Sequence, residues 1–225
     1  MDVPDRFQLV AASATPTVTP SVDALADLLE LRLDGCGDPA GALEAVTSAL
    51  PVIVTNRPTW EGGAFEGSEE QRLALLETAL HHEQVVAVDI EVATLETAAG
   101  AALAEQAREQ EVWVIASVHD FASTPPRSVC EQQLHAATQL GDVGKLAVTA
   151  TSPADAARLL STTATVAGWG RPVATMAMGD VGAHTRAVAP VYGSVLGYAP
   201  ADPDAPTAPG QLSLATLATV VSDLR

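Results

Sequence analysis

The chain has 225 residues, 28 of them acidic against 11 basic, giving a formal net charge of −17, and 48% of its residues are hydrophobic. The length allows a sizeable core and the apolar content excludes a disordered chain. The charge excludes the basic face that nucleic-acid binding needs. Apolar runs break off before membrane-spanning length and no signal-like segment opens the sequence, so a soluble cytoplasmic protein is expected. Cys36 and Cys130 are too few for a disulfide framework, and no CxxC pair suggests a metal. Ten of the basic residues are arginine; Lys145 is the only lysine. An acidic, lysine-poor surface suits a salty cytoplasm, where screening suppresses self-repulsion. The alternative is a basic partner. The acids are spread along helical segments and form no block, which favours salt.

In chain order, β-rich runs are FQLVAASA (7–14), LLELRLD (28–34), PVIVTNR (51–57), VVAVDIEV (85–92), EVWVIASVHD (111–120), VGKLAVTA (143–150), RPVATMAM (171–178) and GSVLGYA (193–199). Helical patterns lie between them. SEEQRLALLETALHH places Leu73, Leu76 and Leu80 on one face; PADAARLLSTTATVAG and SLATLATVVSDLR read similarly. Ser68, Ser152 and Ser213 stand where N-caps belong. Eight strands alternating with helices imply a parallel sheet, and that count in so short a chain predicts a (β/α)8 TIM barrel formed by residues 1–225 as a single domain. A doubly wound open sheet is the competitor, but ASATPTVTPS after the first strand has no phosphate-binding glycine.

A barrel places its chemistry at the C-terminal ends of its strands. Polar residues interrupting the apolar strands are Glu30, Arg32 and Asp34; Asn56 and Arg57; Asp89 and Glu91; Ser117, His119 and Asp120; and Lys145. Glu30, Arg32 and Asp34 alternate and so share one strand face, as substrate ligands or as a structural ion-pair layer. Lys145 has apolar Val143, Leu146 and Val148 nearby. Burial disfavours an ammonium, and a neutral amine in a closed pocket attacks carbonyl carbon to start a Schiff base. Ion pairing at a strand end is the plainer role; the loss of every other lysine favours the chemical one. His119, ending the preceding strand, is placed to shuttle a proton. Arg57 and Glu61 lie in NRPTWEGG, whose EGG predicts a tight turn. Arg186 follows strand seven, where barrels often bind anions. His81 and His82 read as structural at a helix C-terminus, His135 as helix surface and His184 as a weak candidate. The loop APADPDAPTAPGQLS (199–213) is either a lid or an acidic surface loop.

Six segments resemble those of one family, the type I 3-dehydroquinate dehydratases. ELRLD resembles the family's E-[WL]-R-x-D, NRPTWEGG its R-x-x-x-E-G-G turn, and SVHDF its S-x-H-[DN]-F. GKLAVTA is similar to its Schiff-base strand. PVATMAMGDVGAHTRAVAPVYGSVLGYA resembles its M-x-M…R…GS segment, and APGQLS its closing loop. Any one of these is weak; six in order, over most of the chain, are specific.

The resemblance implies a lyase of the shikimate pathway to chorismate and the aromatic amino acids, dehydrating 3-dehydroquinate to 3-dehydroshikimate. It implies Lys145 as the imine-forming residue on the C3 ketone, His119 as general base and acid, and Glu61 as the group that orients the histidine. Substrate contacts carried over are Glu30, Arg32 and Arg57 on ring hydroxyls and other polar groups, and Arg186 on the carboxylate. Thr207 and Gln211 come from the closing loop, Met176 and Tyr198 from the walls, and Ser13 from strand one, where Ala12 is an equally good register. The family usually has serine where Thr207 stands; the hydroxyl is kept. No metal or organic cofactor is implied, and a homodimer is expected. Another Schiff-base barrel of the aldolase type would share the lysine and the fold. A non-catalytic metabolite-binding barrel would have no need to retain Lys145, His119, Glu61, Arg186 and Gln211 together.

Overall fold

The computed structural model describes residues 2–224; Arg225, at the end of the last predicted helix, lies outside them. All eight predicted strands form: β1 (Gln8–Ser13), β2 (Leu28–Arg32), β3 (Val52–Thr55), β4 (Val85–Glu91), β5 (Trp113–Asp120), β6 (Val143–Thr149), β7 (Val173–Met178) and β8 (Leu196–Pro200). They make one parallel sheet in the order β7-β6-β5-β4-β3-β2-β1-β8. A bridge between Val173 and Ser194, with the Val195 amide donating to the Val173 carbonyl at 2.8 Å, brings the two edges together. This nearly closed cylinder is the predicted TIM barrel.

The helices are α1 (Pro20–Leu25), α2 (Glu69–Ala79), α3 (Val92–Leu95), α4 (Ala98–Glu109), α5 (Arg127–Leu140), α6 (Pro153–Ala167), α7 (Thr185–Val188) and α8 (Leu214–Asp223). The three predicted N-caps hold. Ser68 accepts from the Gln71 amide while the Gln71 side chain accepts from the Ser68 amide, which closes a capping box. Ser152 does the same with Asp155, and Ser213 accepts from the Thr216 amide. The crossover from β2 to β3 carries only a 3-10 turn, Leu33–Gly35, and loops.

The strands read as continuous apolar runs because both faces are buried, one against helices and one in the barrel lumen. Leu29, Leu31, Val54, Val88 and Val114 pack outward, among Leu73, Leu76 and Leu80 of the α2 segment. Val10, Leu28, Ile53, Ala87, Ile115, Val143 and Leu196 fill the lumen. Continuing the same alternation along each strand toward its C-terminal end brings Glu30, Thr55, Asp89, Ser117 and Lys145 into line above that apolar floor. The chemistry therefore sits on rigid strands, on one side of a packed plug.

Candidate active site

Strand alternation decides which predicted residues meet. A cavity of about 120 Å³ is lined by Glu30, Arg32, Arg57, Glu61, His119, Met176, Arg186, Tyr198, Thr207, Gln211 and Lys145. Ser13 is not among the lining residues. Its parity is that of the outward-facing Leu9 and Ala11, and its hydroxyl donates to the Thr15 carbonyl at 2.7 Å. Ala12, paired with Glu30 across the β1–β2 register, has the inward parity. His184 is exposed, its Nδ1 meets the Val181 carbonyl at 3.1 Å, and it is not among the lining residues.

The surroundings of Lys145 differ from the apolar ones its sequence neighbours suggest. Leu146 and Val148 belong to the outer layer, because consecutive strand residues face opposite ways. Lys145 itself is 5% exposed, and its Nζ donates to Asp89 Oδ2 at 2.7 Å. The Tyr198 ring lies 4.4 Å from Nζ, close enough for the ring face to stabilise a cation. Asp89 is tied down on its other oxygen by Arg57 Nη2 at 2.7 Å and the Ser117 hydroxyl at 2.6 Å. Burial by itself would raise the Asp89 carboxyl. The Arg57 and Lys145 cations outweigh it and hold that carboxylate well below the usual range.

Arg57, which the resemblance gives as a ligand for ring hydroxyls and other polar groups, lines the cavity and is also held by the protein. Its Nη1 donates to Glu91 and to Ser117 Oγ at 2.7 Å, and its Nη2 donates to Asp89. These donors are committed to the protein, so Arg57 is the hub of a buried ion-pair network. Burial opposes its charge, but Asp89, Glu91 and Glu61 together raise it above its ordinary value. Arg32 is similarly engaged, donating from Nε and Nη2 to both oxygens of Asp34 at 2.9 and 2.8 Å. Asp34 also accepts from the Ala64 amide at 3.1 Å, which pins the turn after β3 to the end of β2. Glu30 accepts from the Thr55 hydroxyl at 2.8 Å. Arg32 and Asp34 thus form an ion pair at the cavity edge, with Arg32 and Glu30 both still lining the cavity.

The EGG turn sets Glu61 against the histidine. Gly62 has φ +74, and a Cβ there would strike the Phe121 ring; a Cβ on Gly63 would lie 2.0 Å from the Arg57 carbonyl oxygen. With both positions bare, Glu61 Oε2 reaches His119 Nδ1 at 2.8 Å. The Phe121 ring stacks near the imidazole, centroids 6.1 Å apart and planes 16° from parallel. Burial, with the Arg57 and Lys145 cations adding to it, pushes His119 well below its usual 6.5. Burial raises Glu61 to about 8, against the pull of Arg57. Both shifts favour the uncharged forms of the pair.

Arg186 is the opposite of Arg57. It is 3% exposed and, among the described residues, no carboxylate lies within ion-pair distance; Nη2 donates to the Pro209 carbonyl at 3.2 Å and Nε is buried with no partner. Burial lowers it to about 10, where it is still charged at neutral pH. An unneutralised buried cation lining a cavity is a site prepared for an anion. The loop closing that side is folded on itself: Gln211 Oε1 accepts from the Thr207 and Ala208 amides at 2.8 and 3.1 Å, and its Nε2 donates to Thr207 Oγ1 at 3.2 Å.

Asp89, Glu91 and Ser117 were visible in the sequence as polar interruptions, with no role assigned. The D-x-E spacing of Asp89 and Glu91 repeats the alternation that flagged Glu30, Arg32 and Asp34, and so carried the missing signal. Phe121 and Met178 also line the cavity. No group of three or more metal-ligating side chains occurs among the described residues.

With this geometry in place, comparison with known proteins supplies the family. Residues 11–224 match the model of the type I 3-dehydroquinase family. The chain is 49% identical over 228 residues to the 3-dehydroquinate dehydratase of Haloquadratum walsbyi, covering 98% of this chain and 93% of that one. It is 48% identical over 224 residues to the enzyme of the same name from Haloarcula marismortui, covering 98% and 97%. Both relatives come from halophiles, as the acidic, lysine-poor composition leads one to expect. Among solved structures, the 3-dehydroquinate dehydratase of Geobacillus kaustophilus superposes with a TM-score of 0.84 at 27% identity, covering 99% of this chain and 91% of that one. The chain belongs to the type I 3-dehydroquinase family.

Proposed function

We propose that residues 1–225 form one catalytic barrel that dehydrates 3-dehydroquinate to 3-dehydroshikimate through an imine on Lys145. The observation that carries this reading is the company the only lysine keeps. Lys145 shares one cavity with a histidine–carboxylate pair and with Arg186, a buried arginine with no carboxylate partner among the described residues.

The chemistry follows from these groups. The Lys145 amine adds to the C3 ketone, and loss of water gives a protonated imine, a stronger electron sink than the ketone. His119 removes a proton from the adjacent carbon, and the resulting enamine expels the β-hydroxyl, which leaves as water with that proton. Hydrolysis of the imine releases product and restores the amine. Arg186 holds the substrate carboxylate. Glu30, Arg32, Thr207 and Gln211 take the ring hydroxyls, and Met176 and Tyr198 close the walls.

Glu61 selects the working tautomer of His119. A base needs its lone pair on Nε2, so the ring proton must sit on Nδ1 and be donated to an ionised Glu61. A protonated Glu61 would instead donate to Nδ1 and leave Nε2 occupied. Glu61 is raised to about 8, so the competent fraction grows as pH rises through that value. The expected kcat/KM climbs between about pH 7 and 9; a profile flat across that window would remove this role from Glu61.

The reading extends to the setting. No helix among the described residues is long and apolar enough to cross a membrane, and a biosynthetic dehydratase of this kind works in the cytoplasm. The charge of −17 leaves nucleic acid out as a partner. The chain acts as a homodimer; light scattering on the purified protein tests this, with a monomeric mass counting against it.

A further inference from the structure

Arg72 lies on α2, outside the cavity, and is fully buried. Its donors are all engaged. Nε and Nη2 donate to the two Glu69 oxygens at 2.8 and 2.7 Å, and Nη2 also donates to Thr94 Oγ1 at 2.8 Å. Nη1 donates to the Asn56 carbonyl at 2.9 Å and sits 2.8 Å from Glu91 Oε2. The other Glu91 oxygen accepts from Arg57, whose second nitrogen holds Asp89, and Asp89 holds Lys145. An unbroken chain of alternating charge runs from α2 to the reactive amine.

We propose that Arg72 is a positioning residue for the imine step: it neutralises the far side of Glu91, which leaves Arg57 to serve Asp89 and lets Lys145 release its proton inside a nearly neutral buried cluster. This rests on the imine reading above. Glu69, Asp89 and Glu91 are balanced one for one by Arg57, Arg72 and Lys145. When Lys145 becomes a free amine, one negative charge is left over. Without Arg72 there would be two, in a region where burial weakens screening. Glu91 would then compete with Asp89 for Arg57, and Asp89 would grip the Lys145 ammonium harder. The other ionisable groups facing Lys145 are Glu30 and Arg32 from β2, Glu61 from the turn after β3, His119 from β5, Tyr198 from β8 and Arg186 from α7. None of them touches Arg72, so replacing it leaves them in place.

The test is the pH dependence of borohydride trapping of the imine with 3-dehydroquinate, read by mass. For Arg72→Met the trapping curve moves to higher pH by about one unit, the scale of one buried charge at an effective dielectric near 20. Arg72→Lys keeps the charge and keeps the curve. The double variant Arg72→Met with Glu91→Gln removes both charges and brings the curve back toward its starting place. If Arg72→Met does not fold, Glu69→Gln is read instead. Glu69 is half-exposed, and losing its charge moves the curve a few tenths of a unit the other way. A folded Arg72→Met whose curve stays put, or a Glu69→Gln curve that stays put, overturns the proposal. Absence of any adduct in the unsubstituted protein would instead defeat the imine reading itself.

Discussion

The two sides of the cavity are built on opposite principles. On the side of β3, β4, β5 and β6 every buried charge has a partner: Lys145 on Asp89, Arg57 on Asp89 and Glu91, and Arg72 on Glu91 and Glu69. On the side of β7 and β8 two buried polar groups are left open, while Thr207 and Gln211 of the closing loop bond to each other. Among the described residues Arg186 has no carboxylate partner and a bare Nε, and the Tyr198 hydroxyl is buried without a partner. The satisfied side holds the reactive amine at a fixed place before any ligand arrives. The open side carries an electrostatic deficit that an anionic substrate relieves. A network complete within itself has little left to give a ligand, so recognition and chemistry are divided between the two walls.

Removing an arginine from each wall breaks or sharpens this contrast most directly. Arg57→Met leaves Asp89 and Glu91 uncompensated in the interior and is expected to cost about 3–5 kcal/mol of folding stability, read by denaturant unfolding. Arg186→Met removes a buried cation that has no partner, so stability is expected to hold or rise, while kcat/KM falls roughly 30- to 150-fold, the worth of a hydrogen-bonded charge of about 2–3 kcal/mol. Equal destabilisation by the two substitutions would erase the contrast.

His119→Ala is expected to lower kcat by roughly 10²–10⁴ while an imine still accumulates on Lys145. Near-normal turnover would take the base role from His119. Glu61→Gln is expected to cost about tenfold or more in kcat and to flatten the rise in kcat/KM between about pH 7 and 9. The stability sign is separate. Glu61 is raised in the folded protein, so its contribution is greatest below the ordinary carboxylate value and is lost as pH climbs through about 8. Glu61→Gln should therefore lose less stability than the parent on going from pH 5 to 9.

The smallest expected effect concerns the surface. Moving from molar salt to dilute buffer lengthens the Debye screening distance from about 3 to about 30 Å at 0.01 M and restores self-repulsion among the acids. A Tm fall of about 2–8 °C, worth 1–2 kcal/mol, is expected. An unchanged Tm in dilute buffer would leave the charge of −17 without a physical purpose.

Much of this was legible in the sequence, for reasons that differ by residue. The strands were, because apolar β-rich runs separated by helical spacing have few other solutions, and the caps at Ser68, Ser152 and Ser213 carry a local hydrogen-bond logic. Lys145 stood out by number alone. Its neighbours did not, because adjacency along a strand puts side chains on opposite faces: Leu146 and Val148 point away, and the true partner, Asp89, lies two strands off. Ser13 failed at the level of register, where a single step exchanges the lumen for the helix layer. Arg72 was hidden by its type, since arginine on a helix usually reads as surface. Yet Arg72, Leu76 and Ala79 follow helical spacing along one buried face, and that pattern was there to be read.

The central claim is that Lys145 becomes covalently linked to substrate. Borohydride reduction in the presence of 3-dehydroquinate, followed by peptide mass measurement, tests it most directly. The account predicts a single reduced adduct on Lys145, absent in Lys145→Ala, whose turnover should fall by at least ~10⁶-fold. Sustained turnover by the unsubstituted protein with no adduct at Lys145 would contradict it.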